Sequence, residues 1–388
     1  MSSSPPDAAQ DEFYMQRALA LATDTVALAS PNPQVGCVLV QNAQIIGEGA
    51  HLYDLRHHAE IAALKQAAHL GHSPVGATAY VTLEPCSHHG RTPPCADALI
   101  TAGIDRCVIA TADPNPLVSG QGIGRLRGTG IEVTLGTLQQ RARALNDAFA
   151  HFIQQRRPFV TLKAALSADG KLAPPPSSRK PNQPFWITGP AARQEVQLLR
   201  HASDAILTGI GTVLTDNPAL TDRTGLPRRR PLLRVVLDTH LRLPVHSQLV
   251  RTASRDLLVL CSENAPTANR AALEALDVEV ATLPAMDGLL DLKALLATLA
   301  DRQILSLLLE TGATLNGAFL SQDLTDKLIL FYAESELGES ALPFAKGISS
   351  PFLLEHNLTR LTRTSFVPDA GVTGYLHDPW PSAPLHPG

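Results

Sequence analysis

The sequence predicts an α/β protein of two domains, and three observations support this fold class. The chain has 388 residues, well above the roughly 150 residues that are usual for one domain. Apolar, strand-like runs alternate with Ala- and Leu-rich helical stretches along most of its length. This alternation restarts after "HFIQQRRP", so we place one domain at residues 1–152 and a second at 157–388.

The elements of the first domain follow from its apolar periodicity. A helix is predicted over "EFYMQRALALATDTVALA", ending before Pro31. The β-prone runs "VGCVLVQ" and "QIIGEGAHL" are separated by two residues, which predicts a hairpin. A helix from His58 to Leu70 follows and ends near Gly71. The strand "TAYVTLE", a helix in "PPCADALITAG", the strand "RCVIATAD" and two further α/β units complete an α/β sandwich.

The second domain is predicted to be a mostly parallel sheet with covering helices. Its strands are expected at "FVTLKAAL", "AILTG", "LRVVLD", "DLLVLC", "VEVATL", "QILSLLLE" and "DKLILFYAE". Its helices are expected at "AARQEVQLLRH", "ANRAALEAL", "LDLKALLATLA" and "NGAFLSQ". The proline-rich "APPPSSRKPNQP" at 173–184 is interpreted as a connector, with a lid as the alternative.

Composition restricts the classes of function. A formal net charge of -4 and a pI near 6.4 provide no basic face for nucleic acid, which favours a small-molecule substrate. No apolar run reaches the roughly 18 residues that span a bilayer, and the N-terminus lacks the features of a signal peptide. We therefore expect no membrane partner and a cytoplasmic protein. Five scattered cysteines argue against a disulfide framework and favour reduced thiols or metal ligands.

A catalytic zinc site is predicted from two short segments. His58 and Glu60 begin one predicted helix, while Cys86 and Cys95 bracket the start of another. Helix N-termini stabilise thiolates, and zinc held by one His and two Cys keeps a fourth position open for water. Glu60, which is not needed as a ligand, is expected to carry the proton. His57, His88 and His89 are alternatives, as competing ligands or as residues that orient the substrate, and local spacing does not exclude His57 as a ligand.

These segments resemble the zinc nucleoside and nucleobase deaminases, whose signature is H-x-E followed by P-C-x-x-C. The spacing between Cys86 and Cys95 is longer than in that signature. However, "TLEPCSHHGRTPPCADALI", "SPNPQVGCVLV" and "DPNPLVSGQGI" are similar to the deaminase half of the bifunctional riboflavin-biosynthesis enzymes. The resemblance implies a cytidine-deaminase-like α/β/α sandwich, zinc on His58, Cys86 and Cys95, and substrate binding by Asn32.

The second half resembles the reductase domain of the same family. The similar segments are "RPFVTLKAALSADGKLA", "WITGPAARQEVQLLRHASDAILTGIGTVLTDNPALTDR" and "LETGATLNGAFL". The resemblance implies a dihydrofolate-reductase-like fold, NADPH as cofactor, and a homo-oligomer formed through this domain. By the same resemblance, the residues facing NADPH are Ala165, Trp186, Thr212, Asp216, Thr239 and Gly312. Those facing the substrate are Arg200, Leu220, Arg223 and Glu310, whereas Lys163 has no assigned role.

Three alternatives remain open from the sequence. A nucleic-acid deaminase would share the zinc motif but would need a basic or aromatic groove, and only 4% of this chain is aromatic. A binding protein without enzymatic activity would use the zinc only to stabilise its fold, with all four coordination positions filled by protein ligands. A deaminase with a weakened or inactive reductase domain is the third, because Pro184 replaces a substrate-binding Ser of the family.

Overall fold

A computed structural model describes residues 8–87, 93–178, 185–348 and 350–380 of the chain. The chain divides into two compact units. The first contains the described residues up to Gln155 and also Trp380, and the second is Arg156–Pro379. Within the residues that the structure describes, every helix is too short or too polar to cross a lipid bilayer.

The first unit is built on a five-stranded sheet within the described residues. Its strands are β1 (Gly36–Gln41), β2 (Gln44–Ala50), β3 (Thr78–Val81), β4 (Arg106–Ile109) and β5 (Glu132–Leu135). The spatial order is β2-β1-β3-β4-β5. Strand β1 is antiparallel to β2 and β3, while β3, β4 and β5 are parallel. The hairpin predicted around residues 42–43 is therefore confirmed.

Helices cover both faces of this sheet. They are α1 (Ala8–Thr23), α2 (Ala59–His69), α3 (Cys95–Thr101), α4 (Gln121–Gly128), α5 (Gln139–Leu145) and α6 (Asp147–Gln155). One core contains Leu39 with residues of α2, α3 and α4, and the opposite core contains Val38 with residues of α1 and α5. The predicted α/β/α sandwich is confirmed. Helix α2 lies very close to β2, since a Cβ on Gly49 would meet the carbonyl oxygen of Ala59 at 2.3 Å.

Two details of the first unit differ from the prediction. Helix α1 ends at Thr23 instead of continuing to Ala29. The hydroxyls of Thr23 and Thr25 donate to the carbonyls of Leu19 and Ala22, and such local bonds compete with the regular helical pattern. After β4 the chain forms a single further strand, β5, followed by the two helices α5 and α6, instead of two complete α/β units.

The second unit contains a nine-stranded sheet in its described part. Its strands, in the spatial order that they occupy, are β11 (Glu279–Leu283), β10 (Leu257–Ser262), β9 (Leu233–Leu237), β8 (Ala205–Gly209), β14 (Ser306–Leu309), β6 (Phe159–Leu166), β15 (Lys327–Tyr332), β18 (Asp369–Tyr375) and β17 (Thr359–Phe366). The first seven are parallel, and the C-terminal hairpin joins β15 in antiparallel direction. The mostly parallel sheet is thus confirmed, but the C-terminal hairpin was not predicted.

Helices and short ladders complete the second unit. The helices are α7 (Pro190–Ala202), α8 (Ile210–Asp216), α9 (Gln248–Arg251), α10 (Thr267–Glu274), α11 (Leu292–Asp301), α12 (Ala313–Ser321) and α13 (Pro351–Glu355). The short ladders pair β12 (Ala285–Met286) with β13 (Leu289–Leu290) and β7 (Lys171–Ala173) with β16 (Leu342–Pro343). Helices α8 and α12 begin directly after the carboxyl ends of β8 and β14, where open α/β sheets bind their ligands.

Candidate active sites

The three predicted zinc ligands converge in the first unit. Their ligand atoms lie within 4.8 Å of one another. The Nδ1 atom of His58 is 3.2 Å from Sγ of Cys95 and 3.5 Å from Sγ of Cys86. Ligands on a tetrahedral zinc with one nitrogen and two sulfurs are separated by roughly 3.5 Å, because zinc binds nitrogen at about 2.0 Å and sulfur at about 2.3 Å. The donor set and its spacing therefore fit zinc.

Local structure explains why these side chains meet. His58 is the N-cap residue of α2, and Cys95 is the first residue of α3. Cys86 lies in the loop after β3, where its sulfur accepts a hydrogen bond from the backbone N–H of Cys95 at 3.3 Å. The Ala96 N–H also donates to the Cys86 carbonyl at 3.2 Å. The starts of two helices and the loop after β3, which is hydrogen-bonded to the start of α3, therefore bring the ligands together.

Glu60 lies in the first turn of α2 beside the ligand cluster. It is 3% exposed. Burial raises the pKa of its carboxyl to about 7, although the charge of His58 acts to lower it. A group with a pKa near neutral can both take up and release a proton, as a general acid–base requires. His57 is not among the converging ligands, and its Nε2 lies 2.7 Å from Nζ of Lys65. His88 and His89 lie outside the described residues.

A cavity of about 230 Å³ opens over the cluster and contains residues that sequence reasoning did not identify. Its lining includes the predicted residues Asn32, His58, Glu60 and Cys86, and the unpredicted residues His51, Glu84, Asp113 and Phe149. Nε2 of His51 lies 3.0 Å from Nδ2 of Asn32, and Nδ1 lies 2.9 Å from the carbonyl oxygen of His57. Burial lowers the pKa of His51. A neutral His51 therefore donates from Nδ1 and accepts the Asn32 amide on Nε2.

The second unit has a cavity of about 490 Å³ at the carboxyl ends of β8 and β14. Three residues predicted to face NADPH line it: Thr212 and Asp216 on α8, and Gly312, the N-cap residue of α12. Gly209 and Gly211 line the same space. The "TGIGT" segment thus begins α8 with Gly209 as N-cap, a helix that the sequence analysis missed.

Three charged side chains meet next to the end of β14. Arg200 donates from Nε and Nη2 to the two carboxylate oxygens of Glu310, at 2.7 and 3.0 Å. Nζ of Lys163 is 3.6 Å from Oε2 of the same carboxylate. Burial acts to raise the pKa of Glu310, but the charges of Lys163 and Arg200 outweigh it and lower the pKa to about 2. Lys163, which had no predicted role, therefore belongs with two residues predicted to face the substrate.

The remaining residues predicted for the reductase site lie outside the lining of the 490 Å³ cavity and outside the charged cluster. Trp186 is 62% exposed, with the Arg193 guanidinium 5.1 Å from its ring centre. The carbonyl of Thr239, directly after β9, accepts from the Ser262 N–H at 3.1 Å. The other three residues are distributed as follows: Ala165 is half-buried on β6, Leu220 is buried in a hydrophobic cluster, and Arg223 is exposed. Pro184 lies outside the described residues.

The fold and the site of the first unit define a zinc-dependent deaminase domain, joined in this chain to a reductase-type α/β domain. The model of the cytidine and deoxycytidylate deaminase zinc-binding region matches residues 8–111. The RibD C-terminal domain model matches residues 158–365. The chain belongs to the RibD family of riboflavin biosynthesis proteins.

Individual relatives cover both halves of the chain. The riboflavin biosynthesis protein RibD of Actinobacillus pleuropneumoniae is 43% identical over 328 residues, which is 84% of this chain and 85% of that protein. The solved structure of Acinetobacter baumannii RibD, form 1, is 38% identical with a TM-score of 0.79, covering 95% of this chain and 99% of that one. The diaminohydroxyphosphoribosylaminopyrimidine deaminase/5-amino-6-(5-phosphoribosylamino)uracil reductase of Thermotoga maritima is 34% identical with a TM-score of 0.78 and the same coverage.

Proposed function

We propose that this bifunctional riboflavin-biosynthesis enzyme catalyses two successive steps, one in each unit. The first is hydrolytic deamination of 2,5-diamino-6-(5-phosphoribosylamino)pyrimidin-4(3H)-one to 5-amino-6-(5-phosphoribosylamino)uracil. The second is NADPH-dependent reduction of the ribosyl group to a ribityl group. The observation that carries the proposal is the His58, Cys86 and Cys95 cluster with Glu60 buried beside it, in a chain whose second unit has its own cavity.

Deamination would use residues of the first unit. When bound, zinc supplies the Lewis acidity that activates a water molecule. His58, Cys86 and Cys95 would hold the metal, and a set of three protein ligands would leave a position for that water. Glu60 takes up the proton of the attacking water and delivers it to the departing amine, which leaves as ammonia. Asn32, which contacts His51 and lines the cavity, is proposed to bind the pyrimidine ring.

Reduction would use the second unit. When bound, NADPH would supply a hydride to C1 of the ribose unit in its open-chain imine form, and a proton from solvent would complete the amine. Thr212 and Asp216 border the cavity that is proposed to hold the cofactor, and the N-terminus of α12 at Gly312 suits an anionic phosphate. Ala165, Trp186 and Thr239 are further proposed cofactor contacts, and Leu220 and Arg223 further substrate contacts.

The charged cluster beside β14 is proposed to hold the sugar phosphate end of the substrate. Arg200 is anchored by Glu310, so its remaining donors have a defined direction. Lys163 adds a second positive charge next to the same carboxylate. We therefore propose that the second unit retains its reductase activity. We also propose that its affinity for the substrate is weakened, because Pro184 occupies the position of the family's serine.

The decisive experiment follows the two activities separately. The purified protein is incubated with the phosphoribosylated diaminopyrimidine, with and without NADPH, while ammonia release and NADPH oxidation are recorded. We expect ammonia release in both cases and NADPH oxidation only after deamination. Ammonia release without any NADPH oxidation, even with the deaminated intermediate at saturation, would leave this chain a deaminase only.

We also propose a cytoplasmic location and a homo-oligomer formed through the second unit. The described cysteines are all free thiols, which suits a reducing compartment. The oligomer is an implication of the family resemblance. Light scattering coupled to size exclusion measures the molar mass, and a mass of one 41.4 kDa chain at micromolar concentration would contradict it.

A further inference from the structure

A second carboxylate, Glu84, lines the deaminase cavity and is 5% exposed. It lies two residues before Cys86, in the loop after β3. Each of its oxygens accepts two backbone N–H groups. Oε1 accepts from Gly122 at 2.9 Å and Ile123 at 3.2 Å. Oε2 accepts from Gly120 at 2.9 Å and Asp113 at 3.1 Å.

The four donors belong to one continuous segment, 113–123, which follows β4 and enters α4. Gly122 and Ile123 lie in the first turn of α4, where backbone N–H groups have no partner within the helix. A carboxylate at this end also interacts favourably with the helix dipole. Glu84 therefore performs the role of an N-terminal cap from a different part of the chain, because the N-cap residue, Gly120, has no side chain.

A very close backbone approach supports the same contact. A Cβ on Gly122 would lie 2.0 Å from the carbonyl oxygen of Pro85 and 3.2 Å from Oε1 of Glu84. Only glycine allows α4 to start this near to the loop that carries Cys86. The segment is further ordered from within, since Oδ1 of Asp113 accepts the N–H of Asn115 at 2.8 Å.

The segment matters for the reaction because Asp113 lines the cavity over the zinc ligands. The Glu84 carboxylate connects Asp113 directly to the loop holding Cys86. Its two oxygens already accept four backbone hydrogen bonds, so its acceptor sites are used to hold segment 113–123. Glu60 and Glu84 therefore have different tasks, although both are buried acids facing one cavity.

We infer that Glu84 is a positioning residue for deamination: it fixes segment 113–123 and thereby holds Asp113 in the wall of the cavity where the pyrimidine binds. This inference rests on the deaminase activity proposed above. Loosening this segment weakens substrate binding. His58 and Glu60 at α2 and Cys95 at α3 keep their places. Cys86, which shares the loop of Glu84, stays bound to the start of α3 through the N–H groups of Cys95 and Ala96.

The test is Glu84→Gln. The amide keeps the shape of the carboxylate but replaces one of its oxygens with an NH2 group. The two backbone N–H groups that bonded to that oxygen then face a donor and lose their acceptor. We expect KM for the diaminopyrimidine substrate to rise by about tenfold or more, kcat to change by less than about threefold, and the zinc content to stay near one ion per chain. Hydrogen exchange in residues 113–123 should become faster, which separates loss of order in this segment from a chemical defect.

A matched control and a second variant complete the experiment. Glu132→Gln removes an exposed carboxylate on β5 that pairs with Arg106, and it should leave KM and the exchange rates unchanged. Gly122→Ala keeps Glu84 but pushes α4 away from Pro85, so it should raise KM in the same way. It also keeps the inference testable if Glu84→Gln fails to fold.

The possible outcomes are distinct. Unchanged KM together with unchanged exchange of residues 113–123 in both variants overturns the inference, while wild-type deamination still supports the proposed function. A fall in kcat at constant KM also overturns it, because Glu84 would then have a chemical role. Absence of ammonia release from the zinc-loaded wild-type protein contradicts the proposed function itself.

Discussion

Arg200 and Glu310, which are 110 residues apart in the sequence, form a two-point ion pair at the carboxyl end of β14. The Arg200 side chain is 11% exposed and the Glu310 side chain is 12% exposed. Because a carboxylate accepts a guanidinium through two parallel hydrogen bonds, the pair fixes the direction of the remaining Arg200 donors, one of which bonds the Thr221 carbonyl at 3.0 Å.

Arg200→Ala should abolish most NADPH oxidation and leave ammonia release intact. Removing one partner of a buried ion pair costs about 3–5 kcal/mol of unfolding free energy. Arg200→Lys is the conservative control, because it keeps the charge but loses the two-point geometry, and an intermediate rate is expected. The two assays run on the same preparations check this. Equal reductase activity of Arg200→Ala and wild type would remove the pair from the mechanism.

The pH dependence of stability follows from Glu310. Its pKa is lowered from 4.5 to about 2, so the folded state gains stability from the ionised form above about pH 4.5 and loses it as the pH falls toward 2. The contribution is on the order of 3 kcal/mol. The free energies of unfolding of wild type and Glu310→Gln, measured by urea denaturation, should therefore differ by a constant amount from pH 5 to 8. This difference should shrink at lower pH.

A suitable control for this titration is Glu279→Gln. Glu279 pairs with Arg302, but its side chain is 54% exposed, and exposed pairs contribute at most about 1 kcal/mol. Little change in unfolding free energy is expected at any pH. A difference between Glu310→Gln and wild type that persists undiminished to pH 3 would show that ionisation of Glu310 is not its source.

Cys86→Ser should lose the zinc and the deaminase activity together. A serine hydroxyl is a poor replacement for a thiolate ligand, and two remaining ligands do not hold the ion. Metal analysis of the purified variant measures this directly. Cys261→Ser is the control, since Cys261 is a buried thiol of the second unit whose Sγ lies 3.6 Å from the Ala281 carbonyl. Full zinc content in Cys86→Ser would refute the assignment of this ligand.

Glu60→Gln should keep the zinc and lose most deamination. The amide retains the shape of the carboxyl group but cannot carry a proton, and general acid–base groups contribute about 10²- to 10⁴-fold to rates. The kcat for ammonia release and the zinc content are measured on one preparation. Glu48→Gln, at an exposed pair with Arg17, is the control. Loss of zinc in Glu60→Gln would identify this residue as a ligand instead.

Pro184→Ser should improve the reductase step. Proline has neither a side-chain hydroxyl nor an N–H, and one restored neutral hydrogen bond is worth roughly 0.5–1.5 kcal/mol. We therefore expect KM for the deaminated intermediate to fall by up to about tenfold, with KM for NADPH unchanged. An unchanged KM for the intermediate would indicate that another residue already supplies this contact.

The zinc site was predictable because its signals are local. His58 and Glu60 share one helix start, and Cys86 and Cys95 flank the next, so sequence spacing alone brings their side chains near two N-termini. The parallel strands of the second sheet were also predictable from continuous apolar runs, which are typical of strands buried on both faces. The C-terminal strands β17 and β18 were not predicted, and β17 is mostly exposed. The predicted end of α1 was wrong, because hydrogen bonds from threonine hydroxyls to backbone carbonyls do not change the apolar periodicity of the sequence.

The sequence by itself therefore determined the fold class, the restart of the α/β pattern near residue 157 and the zinc-binding chemistry. Only the tertiary structure decided what surrounds that chemistry. His51, Glu84 and Asp113 follow three different strands and meet over the metal ligands because β2, β3 and β4 belong to one sheet. The contact of Lys163 with Glu310 likewise depends on β6 lying next to β14. The local turn at residues 42–43 predicts that β1 and β2 are neighbours, but the order of the parallel strands is set by long-range packing that no local pattern of residues encodes.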